Sequence, residues 1–136
     1  MRLALAAVAL TTAMPAFAGG PDQEAYRAWG KDLFATHCAS CHGADGKGGG
    51  PVARDLKTQP KDLTHIAERN EGKFPPNLVT EIVDGRLYYV AHGDRAMPIW
   101  GDVFAQGKGD YAARVRVYAL QLYLESIQEP PMSHAP

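Results

Sequence analysis

Two thiols and an imidazole stand within five residues of one another: Cys38-Ala39-Ser40-Cys41-His42. Thiols at this spacing can add across the two vinyl groups of a porphyrin, and an imidazole directly after them falls beneath its iron. This order of residues is the attachment pattern of a c-type haem, with Cys38 and Cys41 as the covalent anchors and His42 as the proximal iron ligand. Two other chemistries use a Cys-x-x-Cys. A thioredoxin-like pair belongs near a βαβ pattern, which this chain lacks. A zinc site of the common kind needs a second pair of thiols, and there are only 2 Cys.

A haem iron has two axial positions, so a second ligand must come from elsewhere. Met97 is the candidate, in Ala96-Met97-Pro98-Ile99-Trp100-Gly101. The proline after it biases its backbone toward an extended form, and Trp100 can pack beside the porphyrin and keep water out. Methionine is also a common filler of irregular core gaps, but a loop position gives little reason for a buried plug. Met132 lies in a proline-rich tail. His92 is the competing ligand, with His65, His37 and His134 behind it. A thioether raises the potential of the iron and a second imidazole generally lowers it.

The elements that must hold these groups read as helices. Asp22 is an expected N-cap, and Tyr26, Trp29, Gly30, Leu33, Phe34 and His37 recur at spacings of three and four, predicting a helix that runs straight into Cys38. Residues 43–51 hold five glycines and form a loop suited to hugging a flat cofactor. That loop lacks the Gly-Lys-Ser/Thr ending of a phosphate cradle. Thr64 is placed to cap a short helix through Arg69. Asn77 should cap another, with Leu78 and Ile82 facing inward and Gly85 ending it. Residues 87–90 fit a helical turn or an extended piece equally, and residues 93–109 read as a loop. Asp110 opens the last helix, whose packing face carries Val115, Leu120, Tyr123, Leu124 and Ile127. Strand signals are nearly absent, so the expected fold class is all-α.

Residues 1–18 combine Arg2, an apolar run at 3–10 and Ala16-Phe17-Ala18, the form of a cleavable secretory signal. The run is too short to span a bilayer, and no membrane span is expected in the mature chain. Residues 19–128 then make one domain and residues 129–136 a flexible tail. Export to a periplasm is the implied localisation. In an oxidising compartment two cysteines would pair unless other chemistry claimed them, and thioether attachment claims both. The formal charge is -1, with no basic stripe, which argues against a nucleic-acid partner.

Taken together, these positions resemble the class I cytochromes c, small soluble monohaem electron carriers, over nearly the whole mature chain. Gly30 and Phe34 match the glycine and aromatic residue of that family's first helix. Leu120, Tyr123 and Leu124 match the signature of its last. The resemblance implies a cytochrome c-like fold in which the N- and C-terminal helices cross over one covalently bound haem c. It implies that the Pro51 carbonyl accepts a hydrogen bond from His42, and that the Met-Pro-x-Trp element supplies the sixth ligand. The generous glycine loop and the lack of a lysine ring depart from mitochondrial members. Three functions compete: a carrier of single electrons between redox proteins, which is not an enzyme; a tightly bound electron-transfer subunit of a periplasmic dehydrogenase or oxidase; and a gas sensor or peroxidase with an open axial site. With near-balanced charge, a carrier's partner binding should depend weakly on salt. The expected assembly is a monomer or a subunit of a redox complex.

Overall fold

The computed structural model describes residues 21–87 and 97–130. The expected signal segment, Tyr88, Tyr89 and Val90 of the undecided turn, His92, and the tail residues Met132 and His134 lie outside the described residues. Five α-helices follow in order: α1 (Pro21–His37), α2 (Ala39–His42), α3 (Pro76–Asp84), α4 (Trp100–Ala105) and α5 (Gly109–Ser126). Single 3₁₀ turns lie at Ala53–Asp55 and Glu68–Asn70. No strand occurs among the described residues, and the all-α class holds.

The frame is the crossing of α1 and α5. Gly30 sits at the crossing because no side chain fits: a Cβ there would overlap the Ala119 carbonyl and lie 2.9 Å from Tyr123 Cβ. Ala119, fully buried on α5, keeps the same interface thin. The close approach brings Phe34 and Tyr123 to a ring separation of 5.3 Å, and Tyr26 meets Tyr118 edge-on at 5.6 Å. Leu33, Phe34, Val117, Leu120 and Leu124 then form one core with Val79 and Val83 of α3 and Phe104 of α4.

Several local expectations are revised. Asp22 lies inside the first turn of α1, where its charge favours the helix dipole, and Pro21 begins the helix because its missing N–H has no partner to lose there. Pro76 likewise starts α3, leaving Asn77 within the helix. Leu78 and Ile82 do not face the protein core; Val79 and Val83 do. The helix has two adjacent apolar stripes; both line a cavity, and only the Val79/Val83 stripe is also buried in the core. Gly85 ends α3 as expected, at φ 72° with its N–H on the Glu81 carbonyl. Thr64 caps no α-helix: it is buried in a turn, its hydroxyl donating to Asp62 Oδ1 at 2.6 Å. On α5, Val117 rather than Val115 enters the core. Residues 93–109 are not all loop, since α4 lies among them. Glu129 is tied down rather than free: its N–H bonds the Thr64 carbonyl and its carboxylate meets Lys47 Nζ at 2.7 Å.

Candidate functional site

Helix α1 delivers the thiol–imidazole motif directly. The Cys38 N–H bonds the Phe34 carbonyl at 2.9 Å, so the helical ladder reaches the first thiol. The chain then turns through α2, with the His42 N–H on the Cys38 carbonyl at 2.9 Å. A helix end leaves carbonyls without partners, and here the glycine loop supplies them. Gly48 N–H donates to His42 O at 2.8 Å, Gly50 N–H to Cys41 O at 3.1 Å, and Val52 N–H to Ser40 O at 3.0 Å. Contact this close excludes a side chain at Gly50, whose Cβ would lie 2.7 Å from the Ala39 carbonyl oxygen. The glycines therefore clasp the backbone of the motif. None of them lines the adjoining cavity, contrary to the expectation that the loop hugs a cofactor.

The second correction concerns His42. Its Nδ1 lies 3.4 Å from the Lys61 carbonyl oxygen, a long contact, while Pro51 is exposed and makes no such bond. The carbonyl that faces the ring is thus ten residues further along the chain, directly after Pro60. The tautomer suited to this contact carries its proton on Nδ1, leaving the Nε2 lone pair available to a metal. Burial holds the His42 pKa below the ordinary imidazole value, with the Lys61 carbonyl opposing, so the neutral ligand form is favoured.

Beside the motif lies an apolar cavity of two lobes. The larger, about 580 Å³, is walled by Phe34, Leu63, Leu78, Ile82, Leu120 and Leu124 among others, with Lys61 and Arg69 at its edge. The smaller, about 170 Å³, is bounded by His37, Cys41, Leu56, Pro60, Pro98 and Trp100. Cys38, His42 and Met97 line both. Pockets of roughly 300–1,000 Å³ suit small-molecule cofactors, and this one offers two thiols, an imidazole and a thioether along otherwise apolar walls. That donor set fits a large flat porphyrin with iron at its centre.

The first thiol counts against a redox-pair reading of Cys-x-x-Cys. Burial, assisted by Cys41, pushes the Cys38 pKa up to about 12, so the free thiol is neutral and not the ready thiolate of a redox pair. The two cysteines are not disulfide-bonded. Among the described residues no group of three or more His, Cys, Asp or Glu is arranged to hold a metal ion.

Trp100 opens α4 and stacks on Phe104 at 5.6 Å, while His37 packs against both rings at 5.4 and 5.3 Å. Trp100 and His37 wall the smaller lobe together with Met97, and Phe104 backs both from the core. Phe104 is an addition behind the site; its i,i+4 spacing from Trp100 is the signal that could have found it. His65 lines neither lobe and instead contacts the Thr64 hydroxyl at 2.9 Å.

The family model described as Cytochrome c matches residues 28–102, from α1 through the motif into the first turn of α4. No curated protein and no solved structure matches the chain.

Proposed function

The chain belongs to the cytochrome c family and carries covalently attached haem c, and from that premise we propose that it carries single electrons between redox proteins in the periplasm. Cys38 and Cys41 are the attachment thiols, and His42 and Met97 the axial ligands. When bound, the haem supplies a one-electron iron couple. The observation that carries the proposal is the convergence of Cys38, His42 and Met97 on both lobes of one cavity.

Each of the chain's residues then has a defined task. The glycine clasp keeps the two thiols and His42 in fixed mutual register. The Lys61 carbonyl orients the imidazole and increases its donor strength. Trp100 and His37, backed by Phe104, exclude water beside Met97. If His42 and Met97 both hold the iron, no open position would be left for a substrate, which favours a carrier over a sensor or peroxidase. The smaller lobe is bordered by Thr58, Gln59, Pro60 and Pro98, with no charged side chain except what His37 and His42 can carry. Docking there would be brief and only weakly salt-dependent.

Residues 1–18 supply the export signal in this account, 19–128 the folded domain, and the tail begins after the Glu129 anchor. Among the described residues no helix is long and apolar enough to cross a membrane. The test is exported full-length protein run on a denaturing gel and stained for haem, followed by electron exchange with small redox proteins at two ionic strengths. Haem that stays with the polypeptide and exchanges electrons at a nearly salt-independent rate is expected. Haem lost on denaturation would refute the attachment, and a steep salt dependence would refute the docking face.

A further inference from the structure

Between the end of α3 and the start of α4 the structure holds a charge cluster with no part in the cavity wall. Arg86 presents its guanidinium edge-on to Asp84, Nε to Oδ1 and Nη2 to Oδ2, both at 2.8 Å. Its Nη1 reaches Asp110 Oδ1 at 2.6 Å, in the first turn of α5. The Arg86 backbone N–H adds a bond to Asp84 Oδ1 at 3.2 Å. The cluster lies directly on the backbone of Gly101: a Cβ there would overlap Arg86 Nε and stand 2.6 Å from Asp84 Oδ1. Gly101 is buried in α4 and needs no positive φ, so its role is to admit the ion pair.

One side chain thus joins three helix ends: α3 through Asp84, α5 through Asp110, and α4 through Gly101. Gly101 lies four residues after Met97, in the first turn of α4. We propose that Arg86, forked to Asp84 and seated on Gly101, is a positioning residue that holds Met97 against the iron. This rests on Met97 being the sixth ligand.

The physical reason is entropic and geometric. A thioether is a single donor atom on a flexible side chain. If the start of α4 is free to shift, the ligand-off state gains many conformations; if the ion pair fixes Gly101, it gains few. The fork gives the joint a direction that a point charge lacks. Asp84 and Arg86 are only 18% and 24% exposed at their side chains, so solvent screens the pair incompletely.

The experiment uses the full haem-loaded chain and measures equilibrium binding of imidazole to the ferric protein. Apparent affinity for an added ligand scales with the fraction of molecules whose sixth position is free. Arg86→Gln and Gly101→Ala should each raise imidazole affinity about tenfold or more, and Arg86→Lys by less. Met97→Ala should raise it furthest. The discriminating measurement is Arg86→Gln within Met97→Ala: no further increase is expected, because nothing remains to position.

A further increase in that double variant would mean general loosening and would overturn the proposal. So would wild-type affinity in Arg86→Gln and Gly101→Ala while Met97→Ala binds tightly. Unchanged affinity in Met97→Ala would instead remove the ligand assignment, and the positioning role with it. If Arg86→Gln fails to accumulate, Arg86→Lys and Gly101→Ala carry the same comparison.

Discussion

The two sides of the cavity are built in different ways. On the His42 side, the imidazole and both thiols lie within five residues, continue a long helix, and are clasped by backbone hydrogen bonds from the loop that follows. On the Met97 side, the thioether arrives 55 residues later and is flanked by a six-residue helix. Side chains hold that region: the Asp84–Arg86–Asp110 cluster and the Trp100–Phe104–His37 stack. Backbone closure is local and hard to disturb by substitution. Side-chain closure is distant in sequence and open to tuning. Losses on the first side should therefore remove the cofactor or the fold, and losses on the second should alter the iron while the protein survives.

The strongest test of that contrast replaces both thiols. Cys38→Ala with Cys41→Ala should abolish covalent haem and leave a chain without cooperative thermal unfolding, read by haem staining and circular dichroism. The apolar cavity would then have nothing attached to fill it. Phe34→Ala, at 2% exposure against Tyr123, should destabilise the domain by about 3–5 kcal/mol, measurable by denaturant unfolding.

Gly30→Ala should cost about 3 kcal/mol, the upper end for overpacking, since its Cβ meets a backbone carbonyl that cannot rotate away. These two changes probe the crossing that supports the His42 side. Met97→Ala belongs to the other side: haem should remain attached while the potential falls by more than about 60 mV, one tenfold step for one electron. Voltammetry reads it directly.

The smallest effect is acid sensitivity at Asp84. Its hydrogen bond from Arg86 holds its pKa below the ordinary aspartate value. A depressed carboxylate pKa contributes stability that is complete above the unfolded value, about 3.9, and lost as pH falls through the lower folded value. Asp84→Asn should therefore flatten the acid limb of the stability profile below about pH 4 and leave the haem attached.

The same contrast decides what could be read from the chain before its structure. The motif, the helix leading into it and the α1–α5 pair were legible because each rests on spacing within one element. Gly30, Phe34, Leu120, Tyr123 and Leu124 carry that frame. The register of α3 was not legible, because Leu78/Ile82 and Val79/Val83 are equally apolar stripes and only the tertiary structure decides which is buried in the core as well as lining the cavity. Helix α4 was hidden by its length and by glycines at 101, 107 and 109. The carbonyl facing His42 passed from Pro51 to Lys61 because loop length, not residue type, sets which peptide arrives there. Arg86, Asp84 and Asp110 are ordinary surface residue types, and nothing in their spacing announces that Gly101 lies beneath them.

The assignment of Met97 is the claim on which both sides of the comparison depend. The most direct measurement is the red-region absorption spectrum of the ferric exported protein at neutral pH, taken beside Met97→Ala. The thioether-to-iron charge-transfer band should be present in the wild type and absent from the variant, with haem covalently held in both. A wild-type spectrum without the band, or a variant that keeps it, would contradict the account.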